Sequence, residues 1–140
     1  MILGTICVRG GSKGIPGKAM KLMHGLPLIR YTMKCAGEFE GTEEWLKYMA
    51  GGETDFIFDD IVISTDDEEI ADYCEYNNVQ MRPPELATDT SSKWAVFQYI
   101  ANENKLKPDD ILVDLDIGCP LRAIDDIIAC VEKLQTNPEF

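Results

Sequence analysis

The amino-acid sequence predicts an α/β domain built on a mostly parallel sheet, and three observations support this prediction. Strand-like apolar runs alternate along the chain with segments of helical periodicity, which is typical of parallel sheets with helical crossovers. A glycine-rich loop, residues 9–17, directly follows the first run, where open α/β sheets place their ligands. The chain of 140 residues is long enough for one domain with a hydrophobic core, and we assign residues 1–140 to it.

Four apolar runs define the expected strands. They cover residues 2–8, 60–64, 79–81 and 111–115. About four strands make a small sheet for this class of fold. We therefore expect a sheet that is truncated relative to complete members of the class.

Two helices are expected in the first half of the chain. One has Pro27 at its first position, where proline is well tolerated, and runs to about Ala36. The other begins at Thr65, with Glu68 completing a capping box, and runs to about Tyr76. The acidic run 66–69 is interpreted as the first turn of this helix, where the helix dipole favours carboxylates, and not as a metal cluster.

Two further helices are expected in the second half. One begins at an N-cap within residues 89–92 and carries an apolar face made of Trp94, Phe97, Ile100 and Ala101. The last helix opens at Asp125 and Asp126 and carries Ile127, Ile128, Val131 and Leu134. Residues 38–58 do not fit the alternating pattern and are interpreted as an insertion.

Composition and charge limit the classes of function. The net charge of −12 argues against general binding to nucleic acid or to a membrane surface. No apolar run is long enough for a membrane span, and no secretory leader is recognisable, so we expect a cytoplasmic protein. The five cysteines contain no metal-binding pair and are interpreted as small buried residues in a reducing compartment.

Charge is distributed very unevenly along the chain. Residues 1–34 contain six of the 13 Lys and Arg residues and none of the 25 Asp and Glu residues. Three of these cations, Arg9, Lys13 and Lys18, belong to the glycine-rich loop or follow it directly. Backbone amides of such a loop form a nest for anions, so this segment is predicted to bind phosphate. It matches neither the P-loop pattern nor the dinucleotide-binding glycine pattern.

The loop resembles the signature of the acylneuraminate cytidylyltransferases, the family of synthetases that make CMP-sialic acid and CMP-Kdo. The loop residues that fit this signature are Arg9, Ser12, Lys13, Gly14, Ile15, Pro16 and Lys18. Later blocks of the family are matched, in the same order, by residues 25–32, 61–66, 82–92 and 120–122. The resemblance covers nearly the whole chain except residues 38–58.

Some positions depart from the family pattern. Ala19 replaces an asparagine that lies beside the nucleotide, and Asp116 replaces a frequent glutamine. Gly118 and Cys119 replace a threonine and a serine before Pro120. The later half of the family, with an acidic pair that helps to hold magnesium, has no counterpart in the chain.

The resemblance implies a three-layer α/β/α nucleotide-diphospho-sugar transferase fold of the Rossmann-like type. The implied reaction transfers CMP from CTP to an acidic eight- or nine-carbon sugar and releases pyrophosphate, with Mg²⁺ or another divalent cation as cofactor. CTP and the sugar are the expected partners, and a full-length form is expected to be a homodimer. Two alternatives remain: a nucleotidyltransferase that uses another nucleotide, and a non-catalytic nucleotide-binding fragment. We expect the 140 residues alone to be inactive.

The resemblance also implies roles for individual residues. Arg9 and Lys18 are assigned as catalytic groups that stabilise phosphate charge in the transition state. The nucleotide-binding residues are expected to be Val8, Gly10, Gly11, Ser12, Lys13, Arg82, Ser91, Asp116 and Arg122. No metal ligand is assigned.

Four of these residues have a second interpretation. Arg82 either flanks the cytidine or caps a turn, and Ser91 either lies near the base or is a helix N-cap. Asp116 accepts the cytosine amino group or helps to bind magnesium. Arg122 meets a substrate phosphate or pairs with one of the acids at 125 and 126.

Overall fold

A four-stranded parallel sheet forms the centre of the molecule. The computed structural model describes residues 1–37 and 57–137, so residues 38–56 of the expected insertion lie outside the described part. The strands of the main sheet are β1 (Ile2–Cys7), β4 (Asp60–Thr65), β5 (Asn78–Met81) and β6 (Ile111–Asp114), and their order is β5-β4-β1-β6. All three pairings are parallel, with Thr5 between Val62 on one side and Asp114 on the other.

Helices cover both faces of this sheet. They are α1 (Leu28–Cys35), α2 (Glu68–Tyr73), α3 (Lys93–Glu103) and α4 (Ile124–Thr136). Apolar residues of α1, α2 and α4 pack with Ile6 and Ile63 on one face. Val96 and Ile100 of α3 pack with Leu3 and Val62 on the other. The three-layer α/β/α prediction is confirmed, and alternating strand residues supply the two cores.

The predicted strands agree with the structure to within one residue at most ends. Ile61, Val62 and Ile63 are all buried, as expected for a parallel strand covered on both faces. The short antiparallel hairpin formed by β2 (Leu22–Met23) and β3 (Leu26–Pro27) was not predicted.

The predicted start of α2 is wrong. Thr65 is the last residue of β4, and the helix is capped instead by Asp67, whose carboxylate accepts the amide of Ile70 at 3.1 Å. The strand continues to residue 65 because it pairs with Met81 of β5. The acidic first turn is confirmed for Glu68 and Glu69 only, because Asp67 is the N-cap and Asp66 precedes the helix and binds the Gly10 amide.

The N-cap of α3 lies within the predicted range, and Ile100 of the predicted apolar face is buried, but Trp94 of that face is exposed. Ser92 caps the helix by accepting the amide of Ala95 at 3.1 Å. Val96 and Ile100 face the sheet, whereas Trp94 is 68% exposed. Trp94 lies two residues before Val96, about 200° around the helix, so both cannot face the sheet.

Helix α4 and the cysteines test the remaining predictions about burial. In α4, Ile127 and Val131 are buried as predicted, and the acids at 125 and 126 lie in the first turn. The prediction that all five cysteines are buried is wrong, because Cys119 and Cys130 are exposed; all five are free thiols. No described helix is both long and apolar enough to cross a lipid bilayer.

Candidate functional site

The carboxyl ends of the strands gather the predicted site residues at one edge of the sheet. The chain leaves β1 for β4 on one side, and β6 returns to the opposite side of β1. Open α/β sheets bind ligands at this point of reversal, outside the carboxyl ends of the strands. The glycine-rich loop follows β1 here, and the turns after β4, β5 and β6 surround it.

The first part of the loop is fixed to the turn that follows β4. Val8 is buried and donates its amide to Ser64 O at 2.9 Å. The Gly10 amide donates to the Asp66 carboxylate at 3.1 Å. This amide was predicted to face a phosphate, and in the structure Asp66 binds it. The Ser12 amide donates to the Gly10 carbonyl at 3.1 Å, so it also has a partner within the protein. The Gly11 amide and the Ser12 hydroxyl remain predictions for phosphate binding.

Gly10 allows this close approach because it has no side chain. A Cβ atom at residue 10 would lie 2.2 Å from Oδ2 of Asp67, the carboxylate that caps α2. By contrast, a Cβ at Gly11 or Gly14 would meet no atom within 4 Å. Glycine is therefore required by packing at residue 10 and not at residues 11 and 14.

A Gly10→Ala substitution is expected to displace the loop from α2 and to lower the free energy of unfolding by about 1–3 kcal/mol. Urea denaturation of this variant beside Gly11→Ala would measure the effect. The Gly11→Ala protein should remain within about 0.5 kcal/mol of the parent, as is usual for surface changes. Equal losses in the two variants would contradict the packing argument.

Two loop cations converge on one carboxylate from the segment after β5. Arg9 Nη1 lies 2.9 Å from Asp89 Oδ1, and Lys13 Nζ lies 2.5 Å from Asp89 Oδ2. Arg9 also donates to the Thr88 carbonyl at 3.2 Å. The hydrogen bond from Lys13, with the nearby charge of Arg9, lowers the pKa of Asp89. From the sequence, Asp89 was only one of the N-cap candidates at 89–92, because its partners Arg9 and Lys13 are far away in the chain.

Arg82 is the most deeply placed of the predicted site residues that carry charge. Only 8% of it is exposed, and its Nη2 donates to Ser64 O at 2.9 Å and to Val8 O at 3.4 Å. Burial lowers the pKa of this guanidinium. The side chain therefore joins the ends of β1 and β4, and these contacts are to strand-end carbonyls and not to a helix end. Its contact with a nucleotide remains a prediction.

Asp116 lies in a turn just beyond β6 and has two donors. The Gly118 amide donates to its Oδ1 at 2.7 Å, and Lys93 Nζ lies 3.1 Å from its Oδ2. Burial alone would raise the pKa of Asp116, but Gly118, Lys93 and the charge of Lys18 outweigh it and lower the pKa. Lys93 also pairs with Asp114 at 2.5 Å. The carboxylate of Asp116 therefore remains charged at neutral pH.

Lys18 and Arg122 both lie beside this turn, although they are far apart in the sequence. A Cβ atom at Gly118 would lie 3.5 Å from Lys18 Nζ, which places the ammonium group beside the turn. Arg122 donates to the Asp116 carbonyl at 3.1 Å. Its Nη1 is buried with no partner. In the described residues, Arg122 forms no ion pair with the acids at 125 and 126.

Ser91 belongs to a polar turn and does not cap α3. Its hydroxyl donates to the Glu85 carbonyl at 2.7 Å and lies 2.7 Å from Oγ1 of Thr88. Ser92 is the cap, so the N-cap interpretation of Ser91 is wrong. A role near a nucleotide base remains a prediction.

The described residues offer no complete set of metal ligands. Within residues 1–37 and 57–137, no three His, Cys, Asp or Glu side chains come together to hold a metal ion. The two strand-end carboxylates at 114 and 116 are bridged by Lys93, which supplies a positive charge itself.

A cationic glycine-rich loop lies at the reversal point of this parallel sheet, an arrangement that is typical of α/β nucleotide-binding domains. The family model described as cytidylyltransferase matches residues 3–140, and the chain belongs to this family.

Individual relatives agree with this assignment. The chain is 35% identical over 97% of its length to the post-translational flagellin modification protein B of Campylobacter coli, and spans 54% of that protein. It is 32% identical over 85% of its length to the CMP-N,N'-diacetyllegionaminic acid synthase of Campylobacter jejuni, and spans 46% of it. The chain thus spans about half the length of these curated relatives.

A solved structure shares the fold. It is the CMP:2-keto-3-deoxy-manno-octonic acid synthetase complexed with CTP, which superposes with a TM-score of 0.71 at 17% identity. The match covers 98% of this chain and 48% of the solved one. It confirms the predicted fold class.

Proposed function

We propose that this chain forms the nucleotide-binding part of an enzyme that transfers CMP from CTP to an acidic sugar of the sialic-acid type. The observation that carries the proposal is the placement of Arg9, Lys13 and Lys18 around one sheet edge in a member of the cytidylyltransferase family. The names of its relatives support an acidic sugar, since they include legionaminic acid and 3-deoxy-manno-octulosonate enzymes.

In the proposed reaction, a sugar hydroxyl attacks the α-phosphate of CTP. The new P–O bond forms as the bond to the β-phosphate oxygen breaks, pyrophosphate leaves, and the proton of the sugar hydroxyl is released to water. Catalysis of this type depends mainly on positioning and on stabilising negative charge. Arg9 and Lys18 supply positive charge at opposite ends of the loop, and the Gly11 amide and the Ser12 hydroxyl add donors between them.

The cytosine base is assigned to the turn after β6. Asp116 presents a carboxylate there, and a carboxylate accepts a hydrogen bond from the cytosine amino group. Uracil has a carbonyl oxygen at the same position, which the carboxylate would repel. Arg122 beside Asp116 and the polar turn of Ser91 complete the proposed nucleotide surface.

Several properties of the complete enzyme belong to the same proposal. Magnesium enters with the triphosphate as part of the substrate, because Mg²⁺ commonly binds substrate phosphates and keeps several waters. A homodimer is proposed for a full-length form. A cytoplasmic location is supported by the five free cysteines, since disulfides are rare in reducing compartments.

Nucleotide selectivity tests the proposal. CTP with magnesium is expected to raise the melting temperature of the protein more than UTP, GTP or ATP at equal concentration, because a ligand selective for the native state stabilises it. Thermal melting with each nucleotide gives the comparison. A larger shift with UTP or GTP would replace the proposal with a nucleotidyltransferase of different base specificity.

A further inference from the structure

The carboxylate of Asp89 occupies the space between two loop cations that the proposed function assigns to nucleotide phosphates. One carboxylate oxygen contacts Arg9 at 2.9 Å, and the other contacts Lys13 at 2.5 Å. A phosphate group also presents two oxygens that bridge neighbouring cations in this way. In the structure, Asp89 therefore makes the contacts that a phosphate would make.

The Asp89 side chain is presented by a turn with internal hydrogen bonds. Thr88 Oγ1 accepts the Ser91 amide at 3.1 Å, and the Ser91 hydroxyl donates to the Glu85 carbonyl at 2.7 Å. Arg9 additionally donates to the Thr88 carbonyl. The bonds of Ser91 fix the shape of the turn, and the bond from Arg9 to the Thr88 carbonyl joins the turn to the loop beside the Asp89 carboxylate.

Lys18 differs from the other two loop cations. In the part of the chain that the structure describes, Lys18 forms no ion pair, and its ammonium group lies near the turn at Gly118. The acid therefore opposes only one end of the loop. A triphosphate would therefore have to displace Asp89 from Arg9 and Lys13 but, among the described residues, no ion-paired acid from Lys18.

We propose that Asp89 competes with the nucleotide polyphosphate for Arg9 and Lys13, and thereby sets the affinity of the site. This inference rests on the proposed function. Binding exchanges two exposed carboxylate contacts for contacts to phosphate oxygens, and departure of pyrophosphate restores the original pairs. Competition by Asp89 therefore weakens the binding of the polyphosphate and favours the release of pyrophosphate.

The test is an Asp89→Asn substitution, which keeps the shape of the side chain and removes its charge. Calorimetric titration with CTP and with inorganic tripolyphosphate, at fixed ionic strength, should show about three- to ten-fold tighter binding of both, the size of effect expected for exposed ion pairs. Glu85→Gln is the matched control, because it removes an exposed acid from the same segment. Thermal melting verifies that both variants fold.

The direction of the change in binding affinity distinguishes competition by Asp89 from structural support of the loop by Asp89. If Asp89 merely held the loop in shape, Asp89→Asn would weaken binding, and this result would overturn the inference. Binding no tighter than in the Glu85→Gln control would overturn it as well. If the unmodified protein bound neither CTP nor tripolyphosphate, the proposed function itself would fail, and this outcome is distinct from the first two.

Discussion

Replacing Lys18 by alanine is expected to weaken CTP binding by about ten- to a hundred-fold, the usual range for loss of a charge-assisted hydrogen bond. Lys18 follows the loop in a short 3₁₀ turn that begins after Gly17, whose φ of 61° suits glycine. Its ammonium group lies near the turn at Gly118 without an ion pair in the described residues. Lys18 is therefore the loop cation most available to a phosphate.

Calorimetry with CTP measures this effect, and Lys21→Ala is the matched control. Lys21 is an exposed cation three residues later, so its removal changes the net charge by the same amount. The control should bind CTP within about two-fold of the parent, because scattered surface charges contribute little. Similar losses in the two variants would show that the effect comes from total charge and not from a contact of Lys18.

Replacing Arg82 by alanine is expected to lower the free energy of unfolding by about 2–4 kcal/mol, since it removes a buried side chain with several hydrogen bonds. The guanidinium bridges the carbonyls of Val8 and Ser64, and its loss leaves both acceptors without that donor. Urea denaturation followed by circular dichroism would measure the change.

Arg82→Lys provides a graded comparison for the same experiment. A lysine keeps the charge but lacks the planar group that reaches two carbonyls at once. The stability of the Arg82→Lys protein should therefore fall between those of the parent and Arg82→Ala. An Arg82→Ala protein as stable as the parent would assign this residue to ligand binding alone. The structure predicts a loss of stability even without nucleotide.

The fold could be predicted from the sequence where burial leaves little choice. Ile61, Val62 and Ile63 form an uninterrupted apolar run, and such a run fits a strand covered on both faces. Helix starts were less predictable, because Thr65 and Asp67 are both good caps and the pairing of β4 with β5 decides between them. In α3, periodicity correctly predicted that Ile100 is buried, but it also assigned the exposed Trp94 to the same face.

Some residues of the candidate site could be singled out from the sequence, but most of their contacts could not. Arg9 and Lys18 were found from their place in the loop. The pairing of Gly10 with Asp66 joins residues 56 positions apart, and Arg9 meets Thr88 across 79 positions. No local sequence pattern predicts contacts between residues that are so far apart in the chain. Asp66, Asp89 and Lys93 were therefore missed as members of the site.

The central claim is that the loop after β1 and the turn after β6 together bind CTP. Titration of the isotopically labelled protein with CTP and magnesium, followed through its backbone amide resonances, tests this claim most directly. The largest shifts are predicted at Gly11, Ser12 and Gly118, with tripolyphosphate reproducing the loop shifts and not those after β6. Shifts confined to the surface of α4, or no shifts at saturating CTP, would contradict the account.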